Sequence, residues 1–496
     1  MPIQELIRKH KIKLEDQKII RAAFEFAASA HTGQKRRSGE DYVHHPLSTA
    51  DFLADWGLDT PTIVAAILHD VPENTQHSLD DLKKLFGDEI TFLVLGVTKL
   101  GRIKLRSVKD AAYIETMRRM VLAMAEDIRV VLIKLADRLH NMLTLASLPR
   151  DSQERVANET LEIYAPLAAR LGMGEVRGQL EDLAFPVVYP KEYKNLSAQV
   201  RPLLADADKY IPRAQDEITR ILKMHEIPFR QIQGRIKHLY SLYQKLQRPE
   251  YSMDMAKVYD LIALRIITDT VENCYGILGI IHQYFKPLRG RIKDYIAVPK
   301  PNGYKSLHTT VFGPERKFVE IQIRTERMHE EAEFGIASHW AYIEHGKPKK
   351  GARVDHRLAW VRQLREWQKE TERPAEEFLE SLKIDFFKNR IFIFTPKGDV
   401  KDLPEGSTPI DFAFAVHSDL GYHCGGAKIN GKMEKLETKL KNGDMVEILE
   451  DKKIKVARDW LKMAASSNAR SKIRAFIKKN EEGLISRFTP DFMRRK

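Results

Sequence analysis

A chain of 496 residues, 43% hydrophobic and 30% charged, holds enough apolar material for several buried cores and too much for a disordered polymer. Its formal charge of +13 favours anionic partners such as nucleotides, RNA or anionic lipid, and no apolar run is long enough to cross a bilayer. The only two cysteines, Cys274 and Cys424, lie far apart without metal or redox spacing, which excludes a disulfide framework and points to a reducing compartment, the cytoplasm.

In chain order, Met1–Gln17 is polar, with no apolar signal-peptide core. From Asp16 to about Ala184 the apolar spacing is helical. Within it, Thr62–Asp70 (TIVAAILHD) reads as a buried helix, stopped by Pro72, that presents His69 and Asp70 side by side. A second helix carries IKLADRLHN, with Asp137 and Asn141 four apart on one face, and His45 lies upstream. Two imidazoles and two carboxylates on separate helices make a mixed N/O donor set suited to a borderline divalent ion such as Mn²⁺. Such an ion lowers the pKa of bound water for phosphoester hydrolysis, and Glu73 stands close enough in sequence to orient that water or accept its proton. A lone His-Asp pair is more often packing or capping; the spaced set carries the argument.

Pro186 and Pro190 are expected to break the helical regime, with a charged helix from Lys191 to His225 behind them. From Arg230 to about Gly346 helices alternate with strands. In FVEIQIR (Phe318–Arg324), Val319, Ile321 and Ile323 share one face and Glu320, Gln322 and Arg324 the other. No Gly-x-x-x-x-Gly-Lys-[Ser/Thr] loop occurs, so any grip on phosphates comes from side chains. Arg235, Lys237, His238, Ser241 and Lys245 are spread across a loop and a helix start, and Lys286–Lys305 carries six Lys/Arg against one acid. Asp260 opens the strand-like YDLIALRI, so Asp260 and Glu320, on two strands of one sheet, are candidates for a shared Mg²⁺ site. Tyr304 follows Asn302-Gly303 in a turn, where an exposed ring stacks on a base. Taken singly, each of these reads equally as solvated surface, strand-end turn or core. His329-Glu330 lacks the second histidine of a zinc-protease helix, since Glu333 occupies that place.

Residues 347–354 read as a loop, and Trp360, Val361, Leu364 and Trp367 mark one face of an amphipathic helix. Short strands and turns follow from Ile391, with Gly398-Asp399, Asn430-Gly431 and Asn442-Gly443-Asp444 as turn signals. From Arg458 the pattern is helical again. The last 46 residues hold 14 Lys/Arg against 5 Asp/Glu, a surplus of +9, either a solvated helical face or an RNA-binding tail.

The set His45, His69-Asp70 and Asp137 resembles the HD-type phosphohydrolases. HTGQKRRSGEDYVHHPL, AAILHDVPENT, LGVTKL and IKLADRLHNM, followed by GRIKHLYSLYQK, YDLIALRI, RGRIKDYIAVPKPNGYKSLHTTV and EIQIRTERMHEEAEFGIASHWAY, together resemble the Rel/SpoT family of long alarmone synthetase–hydrolases. The segment from IFIFTPKGDV to GDMVEIL resembles the TGS domain. The resemblance implies a multidomain α + β chain. An all-helical HD-type domain (1–190) precedes a mixed α/β nucleotidyltransferase-like synthetase domain (191–346). A linker helix (347–386), a β-grasp TGS domain (387–450) and a basic helical tail (451–496) follow.

By the same resemblance His45, His69, Asp70 and Asp137 bind the hydrolase metal, Mn²⁺, and Arg36 meets the nucleotide. Arg235, Lys237, Ser241 and Lys245 contact ATP phosphates, and Asp260 binds Mg²⁺. Glu320 assists the metal or acts as general base on the 3′-hydroxyl. Lys293, Lys300, Asn302, Tyr304 and His308 hold the guanine nucleotide. The implied activity is transfer of pyrophosphate from ATP to the 3′-hydroxyl of GDP or GTP, together with hydrolysis of the 3′-pyrophosphate of the product. Arg291-Ile292-Lys293-Asp294 matches the basic RxKD form of two-activity members. Two departures stand out. Glu73-Asn74 replaces the usual Glu-Asp, so water activation rests on Glu73 alone or hydrolysis is slow or lost, unless Asn74 only caps a turn. Gly421-Tyr422-His423-Cys424 shifts the histidine by which relatives meet the tRNA 3′ end. The sequence ends soon afterwards without the family's usual C-terminal modules, leaving ribosome contact to the TGS segment and the basic tail. The rival readings are a hydrolase with a silent synthetase fold and a translation-associated RNA-binding protein.

Overall fold

A computed structural model describes residues 2–101, 123, 126–300, 302–338 and 390–488, without 452 and 455. The loop at 347–354 and the amphipathic face Trp360–Trp367 lie outside these residues. The described residues fall into two units, one within 1–371 and one within 372–496. Among them, no helix is long and apolar enough to cross a membrane.

The first unit begins with helices: α1 (Ile3–Lys9), α2 (Leu14–Ala30), α3 (His44–Asp55), α4 (Thr60–Leu68), α5 (Val71–Asn74), α6 (Leu79–Gly101), α7 (Ile128–Leu143), α8 (Arg150–Glu159), α9 (Ala165–Arg170), α10 (Gly174–Val188) and α11 (Pro190–Met224). A five-residue π turn, Thr160–Tyr164, joins α8 to α9. Helix α4 is buried from Thr62 to Leu68, as its unbroken apolar run requires. Asp59 caps it, its carboxylate accepting from the Thr62 N–H at 3.0 Å. Helix α4 ends at Leu68, ahead of Pro72 as expected, and Pro72 then sits in the first turn of the short α5, where its missing N–H has no helical partner to lose. One proline expectation is corrected. Pro186 lies inside α10, which runs on to Val188; in the last turn the ring costs a single backbone bond. Pro190 does mark a boundary, as the first residue of α11.

A five-stranded sheet follows, with strands β1 (Gln231–Ile236), β2 (Ile262–Thr268), β3 (Lys293–Asp294), β4 (Leu307–Phe312) and β5 (Phe318–Thr325) in the order β1-β2-β5-β4-β3. Only β2 and β5 are parallel, with Ala263 opposite Glu320. Three helices accompany the sheet: α12 (Leu239–Leu246), α13 (Val271–Tyr284) and α14 (Glu326–Phe334). One sheet face is a core: Leu264, Ile266, Leu307, Val311, Val319, Ile321 and Ile323 pack against Ile277 and Ile281 of α13 and Ile218 and Leu222 of α11. The alternation in β5 is as expected, but its polar face is not solvated. Gln322 and Arg324 are buried, because that face floors a cleft.

The second unit pairs β6 (Arg390–Phe394) with β7 (Val400–Pro404). A separate sheet has the order β10-β8-β9, with β8 (Cys424–Ile429), β9 (Lys432–Glu434) and β10 (Val446–Glu450). Asn430 and Gly431, both at positive φ, turn β8 into β9. Helix α15 (Pro409–Val416) covers the strands, with Ile391, Ile393, Leu403, Phe412, Ile429, Leu440 and Val446 forming the core between them. The other side of α15 meets α16 (Ser418–Tyr422), α17 (Trp460–Met463) and α18 (Ser467–Phe488), burying Phe414, Trp460, Ala469 and Ile473. The basic tail therefore begins as a packed element. Asp411 fastens it, accepting from the Thr408 N–H that caps α15 and from the Ala465 and Ser466 N–H groups ahead of α18.

Candidate active sites

The first site forms where α3, α4 and α7 meet. His45 near the start of α3, His69 at the end of α4 and Asp137 within α7 are buried, with donor atoms all within 4.8 Å of one another. His45 Nε2 lies 3.1 Å from Asp137 Oδ1 and 3.6 Å from Asp70 Oδ2. His69 Nε2 is buried without a hydrogen-bond partner, although Asp70 Oδ1 is 3.3 Å away. An orphaned imidazole nitrogen facing two carboxylates is the arrangement a divalent cation completes. Burial alone would raise the carboxyl of Asp70, but His69 and His45 hold it below the ordinary value. For Asp137, Lys134 and His45 overcome burial in the same way.

Around these four, Arg36 reaches in and donates from Nη2 to Asn141 Oδ1 at 2.6 Å, with His140 Nδ1 3.0 Å from its Nη1. Asn141 in turn donates to Asp137 Oδ1 at 2.6 Å, the four-residue contact expected on one helix face. Glu73 is exposed at the rim, its carboxyl raised by partial burial and by the charge of Asp70. Asn74 does more than cap a turn. Its Nδ2 donates to the Tyr42 hydroxyl at 2.9 Å, and that hydroxyl donates to Asp70 Oδ2 at 2.9 Å.

The second site is a cleft of about 520 Å³ above the polar sheet face. Asp260 stands just ahead of β2, two residues before the strand begins, and Glu320 lies on β5. Asp260 holds two cations, Lys237 Nζ at 2.9 Å and Lys245 Nζ at 2.6 Å. Although burial opposes it, these lysines bring the Asp260 carboxyl to about 2. Glu320 also sits at about 2 against burial, through its contact with His308 Nδ1 at 3.1 Å and a donation from Gln322 at 3.0 Å. Tyr304 is half-buried rather than exposed, its hydroxyl 2.7 Å from His308 Nε2. Lys300 Nζ lies 4.7 Å from the centroids of both the Tyr304 and Tyr295 rings. Although the residue as a whole is exposed, desolvation of its head group within the cleft and the neighbouring Lys293 lower its ammonium to about 8. Arg235, Lys293 and Asn302 also line the cleft, and the Ser241 hydroxyl donates to Glu181 at 3.2 Å.

The structure thus brings His45, His69, Asp70, Asp137, Arg36 and Glu73 to one site, and the remaining candidates to the other. Sequence reasoning passed over several neighbours. His140 Nδ1 stands 2.8 Å from His45 Nδ1, and Tyr42 tethers Asp70. Both lie inside the quoted motifs; for His140, three residues from Asp137 on α7, helical spacing was the available signal, whereas Tyr42 precedes α3 and no such spacing applies. Arg265 and Arg324, from β2 and β5, share Glu333 of α14 at 3.1 and 2.8 Å beneath the cleft. Asp182 and Glu181 come from α10, remote in sequence, and nothing local pointed to them. In the second unit, Tyr422 turns inward to stack on Phe476, and the displaced His423 is left partly exposed beside Asp419.

Three family models match the chain: the HD domain over residues 23–174, the region found in RelA / SpoT proteins over 234–347, and the TGS domain over 391–450. A GTP pyrophosphokinase of Streptomyces antibioticus is 47% identical over 496 residues, covering 96% of this chain and 58% of the relative. The bifunctional (p)ppGpp synthase/hydrolase RelA of Mycobacterium tuberculosis is 46% identical over 479 residues, covering 95% of this chain and 64% of the relative. A guanosine-3′,5′-bis(diphosphate) 3′-pyrophosphohydrolase of Aquifex aeolicus is 44% identical over 467 residues, covering 93% and 65%. The chain spans 58–65% of the length of these relatives.

Proposed function

From the premise that the chain belongs to the RelA/SpoT family, we propose that it transfers pyrophosphate from ATP to the 3′-hydroxyl of GDP or GTP and hydrolyses the 3′-pyrophosphate of the product. The observation that carries the transferase reading is one cleft holding Asp260 and Glu320 beside Lys237, Lys245, Lys300, Tyr304 and His308. Asp260 and Glu320 would hold Mg²⁺, which supplies charge neutralisation to the phosphates. Arg235, Lys237, Ser241 and Lys245 would receive the ATP phosphates. On loading, Lys237 and Lys245 would exchange the Asp260 carboxylate for phosphate oxygens. A Glu320 carboxyl at about 2 is a weak proton acceptor at neutral pH, which supports a metal-holding role over general base. Lys293, Lys300, Asn302 and His308 would hold the guanine nucleotide, with Tyr304 against the base.

The hydrolase reading rests on the buried donor set. His45, His69, Asp70 and Asp137 would hold Mn²⁺, which supplies Lewis acidity. Glu73 would orient the water and Arg36 would meet the nucleotide. The bond from Asn74 to Tyr42 supports a positioning role for Asn74 and a retained hydrolase. We place the domain boundaries at 190, 346, 386 and 450 and both reactions in the cytoplasm. Asp260→Asn should lower pyrophosphate transfer by about 10²–10³-fold and spare hydrolysis, whereas Asp70→Ala should do the reverse. Product formation by Asp260→Asn at the wild-type rate would sink the assignment.

A further inference from the structure

We infer that Arg177, on α10 of the hydrolase-type half, binds a 5′-phosphate of the acceptor nucleotide in the synthetase cleft; the inference rests on the transferase reading above. Helix α10 precedes the long α11 in the chain, yet Glu175, Arg177, Gly178 and Glu181 form a wall of that cleft.

Close contacts press the helix into place. A Cβ at Gly178 would stand 2.3 Å from the His238 ring. Asp182 Oδ2 lies 2.8 Å from His238 Nδ1, and its Oδ1 accepts the Tyr240 N–H at 2.9 Å, at the start of α12. Just before α10, the Ile336 N–H donates to the Leu171 carbonyl at 2.9 Å. Gly335, at φ +57°, approaches that carbonyl so closely that a Cβ would fall 2.1 Å from it. The wall is a built part of the cleft.

Arg177 uses one donor to fix itself. Its Nε donates to Glu181 Oε1 at 2.8 Å, and Glu181 Oε2 accepts the Ser241 hydroxyl at 3.2 Å. The Nη1 and Nη2 groups have no hydrogen-bond partner among the described residues. Glu181 therefore separates Arg177 from Ser241 and from the donor phosphates assigned there. On the other side, the charge of Arg177 helps depress the Lys300 ammonium, so the two cations lie within electrostatic reach of each other. No carboxylate forms an ion pair with Lys300 among the described residues. Two cations facing one region of a cleft call for an anion, and a guanidinium held by Nε presents its remaining fork to phosphate oxygens. A plain surface ion pair four residues apart accounts for the Nε bond. It does not account for a helix pressed into the cleft, with Glu181 bridging Arg177 to Ser241.

The test is steady-state kinetics of the full chain and its Arg177→Met and Arg177→Lys variants, varying GDP or GTP at fixed ATP and then ATP at fixed acceptor. Loss of one charge-assisted contact should raise the acceptor KM of Arg177→Met about tenfold, with the ATP KM within about twofold. Arg177→Lys should recover part of the loss, and the thermal unfolding midpoints should match the wild type. An acceptor KM equal to the wild type, or equal rises for both nucleotides with a lowered midpoint, would overturn the inference while leaving the transferase reading intact. Absence of transfer by the wild-type chain would remove that reading itself.

Discussion

Lys300 carries a pH dependence that can be measured. Its ammonium, lowered to about 8 by desolvation within the cleft and by Lys293, is charged below that pH and neutral above it. A nucleotide phosphate is attracted only by the charged form. kcat/KM for the acceptor should therefore be level through neutrality and fall as pH rises through about 8, the profile reporting the free enzyme. A level profile to pH 9.5 would contradict a lowered Lys300 ammonium that meets the nucleotide. At this scale the sequence was informative wherever a residue's chemistry has few other uses. His45, His69, Asp137, Asp260 and Glu320 were legible as ligand candidates; the first three meet at one site and the last two line the other. Side-chain burial was less legible. Tyr304 was expected as an open ring, but its hydroxyl bonds to His308, four residues on in β4, because the turn at Asn302-Gly303 folds the ring back onto the start of that strand. Asn74 looked like a loss of carboxylate; its amide instead steadies Tyr42, because the turn carrying it faces the segment before α3.

At the scale of elements, the junction of α10 with α12 carries a second titration. His238 is raised to about 9 by Asp182 first and then Glu175. A group raised in the folded state adds stability fully present below its unfolded value of 6.5, and that stability is lost as pH climbs through about 9. After discounting for the part-exposed Asp182, the contribution is about 1–2 kcal/mol. The wild-type advantage over His238→Gln in thermal midpoint should thus be largest at pH 6 and vanish by pH 10. An advantage independent of pH would mean that the ring only fills space beside Gly178. Helices and strands were read well from period, including α4 and β5. Pro186 was over-read, since it sits in a last turn, where a missing N–H costs little. The basic tail was judged by its charge. Its Ala469, Ile473 and Ile477 recur every four residues, and that stripe docks the helix on α15.

For the whole molecule, the two candidate sites lie in the first unit, and the reactions proposed for them run in opposite directions. The motifs named the residues that gather at both candidate sites, but they could not foretell that α10, placed by the sequence reading in the first domain, would wall the cleft of the second. Such a contact depends on tertiary placement, enforced by Gly178 and Gly335, not on local propensity. Helix α10 also packs on α7, which carries Asp137, so binding at one site has a physical route to the other, and in the proposed function the product of one site is the substrate of the second. The most direct measurement follows label through both reactions with purified protein. ATP labelled in its terminal phosphates is mixed with GDP or GTP and Mg²⁺, and the isolated product is then returned with Mn²⁺. The account predicts label on the guanine nucleotide in the first step and released pyrophosphate in the second. No label on the guanine nucleotide, with the cleft intact and both substrates saturating, would contradict it.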